Sequence, residues 1–513
     1  MRRFPRGLMA LFFSFSLVAC GDDPELHNQQ DPADTDTELN QGNSDGSDDG
    51  DSGEVDEDTG DDSKETDQSD DPESCQPLPS PSLGTTALAN QWRQDASRCG
   101  QPSFSVLEDP ALGDLVALGT SRTFNGQILN NLAQSEGLTP PKEIKYDSRI
   151  RIFSYLTRDR GELIEATALV AHPITDDPDF EPQAPILFLH GTTGFTDQCA
   201  PSNMLEVQLL SAVFASMGYA VIAPDFIGMK SMGEPSEELH PYLVGQPTAI
   251  ASLDSLRAFH KLPPAERGNH CYPHDYVSLG GSQGGHAALW IDRLSTTYAP
   301  EFTHLGSVAT VPPADLMAQA EKALLAPISA TRNAIAFLGT APFWYGYGDR
   351  LDEVFLSPFD EDVPEVFANG CNFRPITNNY STLDEIFTDT LLDPIAQGEL
   401  IPDPWACMVE DNGLLTTTTE REGPFVDSYS ILFILGEDDD LVDTPIERNS
   451  FLALCEEGLP LSYLECAGGP HGATTAWALP EIIAFLDARL SRTPVNAEEL
   501  CVLSAPTRCE NTP

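Results

Sequence analysis

The nine residues Tyr276-Val277-Ser278-Leu279-Gly280-Gly281-Ser282-Gln283-Gly284 decide the fold. An apolar run, Tyr276-Val277-Ser278-Leu279, leads into Gly280-Gly281-Ser282-Gln283-Gly284, and a helical pattern follows over residues 283–294. Strand, tight turn and helix in that order put a serine at the tip of a sharp corner, where the glycines relieve crowding. Alone, Gly-x-Ser-x-Gly carries little weight: at ~7% glycine it arises by chance in roughly one chain of this length in five. The chain supplies its own control in Gly42-Asn43-Ser44-Asp45-Gly46, which fits the pattern but follows no apolar run. Context therefore selects Ser282 as the candidate nucleophile. It also puts the Gln283 backbone N–H at a helix N-terminus, where it faces developing negative charge.

Outward from this corner, short apolar runs alternate with helical patterns. Strands are expected at 150–156, 164–171, 185–189, 220–223, 276–279, 305–311, 430–435 and 461–465, and helices at 205–217, 248–261, 283–294 and 479–490. Several strands are unbroken aliphatic or β-branched runs, as in a sheet covered on both faces. Strand–helix alternation implies βαβ units and a mostly parallel, doubly wound α/β sheet, with the first two strands as an antiparallel edge. The pattern lapses between about 312 and 426. Helix-like segments at 314–325 and 383–392 flank the piece Ala341-Pro342-Phe343-Trp344-Tyr345-Gly346-Tyr347, which reads as a largely helical cap inserted above the sheet.

A serine hydroxyl is a weak nucleophile without a base, and on such a corner an acid and then a histidine follow it in sequence. Only His286, His304 and His471 come after Ser282. His286 lies one turn along the same helix, beneath the corner, and His304 precedes a strand. His471 sits in the loop Cys466-Ala467-Gly468-Gly469-Pro470-His471-Gly472 before the last helix and is the candidate base. The candidate acids are Glu437, Asp438, Asp439 and Asp440, directly after strand 430–435 and Gly436. The spacing Gly436-x-x-Asp439-x-x-Val442 favours Asp439, with Asp438 and Asp440 as alternatives. A second oxyanion donor is expected from the loop His190-Gly191-Thr192-Thr193-Gly194 after strand 185–189, with Thr192 as the choice and His190 as structural.

The flanks set the compartment. Arg2, Arg3 and Arg6 precede an apolar run over 8–18 that is too short to span a bilayer, so residues 1–19 read as an export signal. Its ending, Leu17-Val18-Ala19-Cys20, resembles the lipobox of bacterial lipoproteins, which implies lipidation of Cys20. Residues 20–74 are an acidic, disorder-prone tether with Lys64 as the one basic residue, and the folded part is expected over 75–513. A net charge of −54 argues against nucleic acid as partner. The ten cysteines besides Cys20 suggest disulfides, with Cys455–Cys466 and Cys501–Cys509 paired by proximity alone. No spacing suggests a metal site, and no cofactor is implied.

The chain resembles the secretory lipase family, the lipase A type of α/β-hydrolase. The resemblance rests on the 190–194 loop, Asp197-Gln198-Cys199-Ala200-Pro201-Ser202, Gly218-Tyr219-Ala220-Val221-Ile222-Ala223-Pro224-Asp225-Phe226-Ile227-Gly228, residues 251–256, the corner 280–284, and Leu289-Trp290 to Tyr298-Ala299-Pro300-Glu301. It implies an α/β-hydrolase fold with a helical cap over an acyl pocket, Ser282, Asp439 and His471 as a triad, and Thr192 and Gln283 as oxyanion donors. The expected activity is hydrolysis of carboxylic esters or lipids by a monomer held by its lipid in a bacterial envelope, at the outer membrane or cell surface. An acyltransferase or peptidase on the same residues, or a surface-binding module without activity, is the alternative. Phe343, Trp344 and Tyr345 are expected to line or gate the acyl channel, with a place in the cap's own core as the alternative.

Overall fold

The computed structural model describes residues 75–92, 99, 108–135, 140–423 and 425–512. The export signal, Cys20 and the whole of the acidic tether lie outside the described residues. Nine strands form one sheet: β1 (Leu115–Phe124), β2 (Asp147–Asp159), β3 (Glu162–Ile174), β4 (Ile186–Leu189), β5 (Val221–Pro224), β6 (Asp275–Gly281), β7 (Thr303–Thr310), β8 (Ile431–Gly436) and β9 (Leu461–Cys466). Their order across the sheet is β1-β2-β3-β5-β4-β6-β7-β8-β9. The strands from β5 to β9 pair in parallel, and β1, β2 and β3 add an antiparallel flank.

The cause lies in the side chains. Strands β4, β5 and β8 are buried along their whole length, so each needs a helix layer on both faces. The layers come from α1 (Gly126–Ser135), α2 (Leu205–Ser216), α3 (Gly245–Lys261) and α4 (Gln283–Tyr298). On one face Leu253 and Leu256 of α3 and Ile291 and Leu294 of α4 join Leu187 and Phe433 of the sheet. On the other, Val213 and Phe214 of α2 pack with Ile186 and Ile434.

Between β7 and β8 the chain leaves the sheet and builds the cap: α5 (Leu316–Leu325), α6 (Thr331–Tyr345), α7 (Phe359–Asn369), α8 (Asp389–Ala396) and α9 (Trp405–Asn412). After β8 come α10 (Thr444–Glu456), α11 (His471–Trp477) and α12 (Leu479–Leu490). The cap has its own apolar cluster, in which Phe337, Trp344, Phe355 and Trp405 pack with Phe195 and Tyr242 from the loops above the sheet.

Four expectations change. The sheet has a strand that apolar patterning misses: most residues of β1 are exposed, so no buried alternation marks it. The expected helix 383–392 is broken, because Thr382 and Glu385 close a capping box on a single 3-10 turn and Phe387 then bridges Phe355. The aromatic piece 341–347 is the end of α6, which stops at Gly346, a residue with φ of 81°. The guessed disulfides are wrong: Cys455 pairs with Cys501 and Cys466 with Cys509. The tail runs alongside β9, with Cys501 N bonded to Leu461 O and Thr507 N to Glu465 O, so each tail cysteine meets a body cysteine. Cys99–Cys407 and Cys199–Cys371 tie other segments to the cap, and Cys75 and Cys271 are also disulfide-bonded.

Candidate active site

The corner after β6 is strained, and its glycines are what permit it. Ser282 has φ of 56° and ψ of −119°, outside the regions that L residues favour, at a cost of about 1–3 kcal/mol. A Cβ on Gly280 would lie 2.1 Å from the Gly284 carbonyl oxygen, and one on Gly284 would lie 2.1 Å from the Leu189 carbonyl oxygen. The outer glycines of the motif are thus required by the close approach of α4 to β6 and β4. The Ser282 N–H donates to the Thr310 carbonyl at the end of β7 (2.9 Å), which fixes the corner to the neighbouring strand.

Ser282, His471 and Asp439 meet above the C-terminal ends of the strands. His471 Nε2 lies 2.9 Å from Ser282 Oγ, and His471 Nδ1 lies 2.8 and 3.0 Å from the two Asp439 carboxylate oxygens. Because Nδ1 faces a carboxylate it carries the proton, which leaves Nε2 to accept from the serine hydroxyl. The carboxylate is held in turn: its Oδ1 accepts from Leu441 N (2.9 Å) and Val442 N (2.8 Å). The side chains of both His471 and Asp439 are buried. Among the other acids of the run, Asp438 and Asp440 point to solvent and Glu437 accepts from Gly468 N.

The remaining histidines near the corner do other work. His286 Nε2–H donates to the Asn412 carbonyl (2.8 Å), at the seam between α4 and the cap, and burial lowers it to about 4. His304 bonds Ser278 Oγ (3.1 Å) inside the sheet layer. His190 donates from Nδ1 to the Gly191 carbonyl (2.7 Å) and packs on Phe226; burial lowers it to about 4. These rings are neutral packing and hydrogen-bonding groups at neutral pH.

The loop with Thr192 and the turn with Gln283 leave adjacent strand ends, since Leu189 of β4 is in register with Gly280 of β6. Gln283 N is among the first helical N–H groups, which have no partner within the helix. Sequence reading missed the residues that brace these two positions. His240, lowered to about 3 by burial, accepts at Nε2 from the Gln283 side-chain amide (2.6 Å) while its Nδ1–H donates to the Ile227 carbonyl (2.8 Å). Tyr242 Oη lies 3.1 Å from Thr192 Oγ1, and Asn333 Nδ2 donates to Tyr242 Oη (2.7 Å). No local motif marks these residues, whose partners are distant in sequence, and Asn333 alone comes from the cap.

An apolar cavity opens from Ser282 into the cap. Its walls include Leu316, Ala323, Ala334, Phe337, Leu338 and Val409, with Leu441 and Val442 of the acid turn at one side. Polar groups on the wall are few, namely Tyr242, Gln319 and Asn333 besides the serine. Phe343, Trp344 and Tyr345 are not among the lining residues. Trp344 is buried in the cap, where its indole N–H donates to Asp159 (2.8 Å), and Tyr345 donates to Asp411 (2.7 Å). The expectation that these aromatics line the channel is therefore corrected: on α6 they fall on the side that packs the cap's own core.

Known proteins place this architecture. The chain aligns with the esterase LipA of Xanthomonas oryzae, described as degrading rice cell wall, at TM-score 0.57 and 18% identity over 76% of this chain and 100% of that one. It aligns with lipase A of Candida antarctica in its closed state at TM-score 0.54 and 16% identity over 79% of this chain and 87% of the other. A Legionella pneumophila protein described as a hydrolase gives TM-score 0.60 and 19% identity, over 74% and 100% of the two chains. These likenesses establish an α/β-hydrolase fold. No curated protein matches the chain. The family model for secretory lipase matches residues 200–497, more than half of the sequence. The chain belongs to the secretory lipase family and is a carboxylic ester hydrolase.

Proposed function

We propose that the protein cleaves carboxylic esters through an acyl-enzyme on Ser282. The observation that carries this reading is His471 held between Ser282 Oγ at 2.9 Å and the Asp439 carboxylate, at the mouth of an apolar cavity. Ser282 Oγ attacks the ester carbonyl as His471 Nε2 takes its proton, and Asp439 keeps Nδ1 protonated and stabilises the imidazolium. The N–H groups of Thr192 and Gln283 receive the oxyanion. His471 then protonates the leaving alcohol and activates the water that releases the acid, while the cap cavity holds the acyl chain. The site is assembled from one chain, which supports a monomer as the active form.

Export agrees with the family, and no helix among the described residues is long and apolar enough to cross a membrane. Attachment would then come from acylated Cys20, with the acidic segment 20–74 as spacer at the outer membrane or cell surface. A panel of nitrophenyl esters from acetate to palmitate tests the activity. Saturable hydrolysis that Ser282→Ala abolishes is expected, and turnover by Ser282→Ala at the wild-type rate would reject the reading. Recovery of Cys20→Ser, but not wild type, in the soluble fraction tests the anchor.

A further inference from the structure

Resting on that reading, we propose that the C-terminal tail, residues 498–512, is the outer brace of the base loop and holds His471 in place for catalysis.

The tail lies beyond residues 200–497, the part that the secretory lipase model matches. The need for a brace starts in the loop itself. His471 opens α11 directly behind Gly468-Gly469-Pro470. Gly468 has φ of 64°, and a Cβ on Gly469 would lie 2.7 Å from Thr474 Oγ1 and 2.9 Å from the Cys466 carbonyl oxygen. Close packing demands these glycines, and glycine leaves a loop more conformational freedom than any other residue. A catalytic base tolerates little of that freedom, since ~1 Å of displacement can cost about 10²-fold in rate. The restraint has to come from outside the loop.

On the inner side it comes from the acid turn. Glu437 N donates to the Cys466 carbonyl (3.0 Å), Asp438 N to the Gly469 carbonyl (3.1 Å), and Gly468 N to the Glu437 carboxylate (2.8 Å). These bonds fix the two loops to each other. They leave the outer edge of β9, the last strand of the sheet, to be held by something else. The tail holds it. Thr507 N donates to the Glu465 carbonyl (2.8 Å), Ala467 N donates to the Thr507 carbonyl (2.7 Å), and the buried Cys509 is bonded to Cys466. Farther on, Asn511 N donates to the Trp477 carbonyl (3.0 Å) at the end of α11. The tail therefore grips the segment where it leaves β9 and again where α11 ends, with His471 between the two grips. Its residues touch no reacting atom, so they are positioning residues that act through His471.

Two disulfides fasten the tail at different heights, which supplies an internal control. Cys455–Cys501 ties it to α10 near the start of β9, where Cys501 N meets the Leu461 carbonyl, and Cys466–Cys509 ties it at the start of the base loop. A role in stability alone would draw on both bonds, whereas a role in placing His471 draws on the second.

The test compares full-length variants on nitrophenyl butyrate, each assayed well below its own melting temperature. Cys466→Ala with Cys509→Ala should lower kcat about tenfold with KM within about twofold. Cys455→Ala with Cys501→Ala should keep kcat within about twofold of wild type, although either pair lowers the melting temperature. Thr507→Pro removes the N–H donated to Glu465, leaves both disulfides, and should lower kcat about threefold. Wild-type kcat in the Cys466 and Cys509 pair, or an equal loss of kcat in both pairs, overturns the proposal. If the Cys466 and Cys509 pair does not fold, Thr507→Pro decides, and an unchanged kcat rejects the brace. Ser282→Ala run alongside separates the two levels, because its loss of activity preserves the acyl-enzyme reading whatever the tail does.

Discussion

The strand ends of the sheet and the cap above them are built on opposite terms. At the strand ends, positions are fixed by backbone: the serine corner is locked by glycines that admit no Cβ and by a bond from Ser282 N to Thr310 O. The acid turn is fixed in the same way, with two backbone N–H groups on one Asp439 oxygen. The cap is fixed by side chains, through its aromatic cluster, two disulfides and polar pins such as Asn412, whose amide oxygen accepts from Gly245 N (2.9 Å) and whose amide nitrogen donates to Tyr345 Oη (2.8 Å). On the proposed reading the tasks divide the same way: chemistry, which needs atoms placed to a fraction of an ångström, would sit where backbone dictates them, and selection of substrate where side chains can vary without moving the backbone.

The sharpest way to break the comparison is to change the strand ends. Ser282→Ala or His471→Ala should each lower kcat on the order of 10³-fold or more for every ester, and the double variant should lose little more. Asp439→Asn should also lower kcat, whereas Asp438→Asn and Asp440→Asn should stay near wild type, since both side chains are solvent-exposed. A change in the cap should instead discriminate. Ala334→Phe narrows the cavity and should cut hydrolysis of long-chain esters by about 10–100-fold relative to acetate. Equal losses on acetate and palmitate would show that the cavity does not hold the acyl chain.

The seam between the regions has its own signature. Glu447 of α10 is wholly buried against the cap, accepting from Gln319 Nε2 of α5 (2.8 Å) and from Ala314 N (3.1 Å), and burial raises it to about 8. A carboxyl raised on folding stabilises fully below its unfolded value of 4.5, and that contribution is lost as pH rises through about 8. Wild type should therefore lose stability by up to about 1.4 kcal/mol per pH unit across this window. Glu447→Gln should show a flatter profile of melting temperature against pH, and an unchanged slope would remove Glu447 as its source. The smallest effect is expected at Trp344. Trp344→Phe removes the indole donor to buried Asp159 and should cost about 1–3 kcal/mol of stability. It should leave the chain-length profile as it is; a shifted profile would return Trp344 to the channel.

The same contrast governs what the sequence discloses. Strands β4, β5 and β8 are legible because burial on both faces leaves unbroken apolar runs, and β1 is not because its side chains meet water. Two of the pieces that carry the family resemblance prove to be structural pins. In Cys199-Ala200-Pro201-Ser202 the serine gives both its N–H and its hydroxyl to Asp225, and Cys199 bonds Cys371 of the cap. In Tyr298-Ala299-Pro300-Glu301, Tyr298 donates to Asp254 and Glu301 accepts from Arg257, all in the core. Order along the chain singles out Ser282, an acid near Asp439 and His471 as candidates, because a strand end followed by a loop is a local pattern. The braces His240, Tyr242 and Asn333 are not local: each reaches its partner 43 to 91 residues away, and Asn333 does so from a cap whose composition reveals apolarity but not which side faces the cavity.

The most direct test of the central claim is covalent. Full-length protein is treated with a fluorophosphonate, which reacts with an activated serine and mimics the tetrahedral state, and the modified residue is mapped by mass spectrometry. One adduct per chain, on Ser282, is expected, with labelling lost in Ser282→Ala and strongly slowed in His471→Ala. An adduct on another serine, or labelling of Ser282→Ala at the wild-type rate, would contradict Ser282 as the nucleophile of this hydrolase.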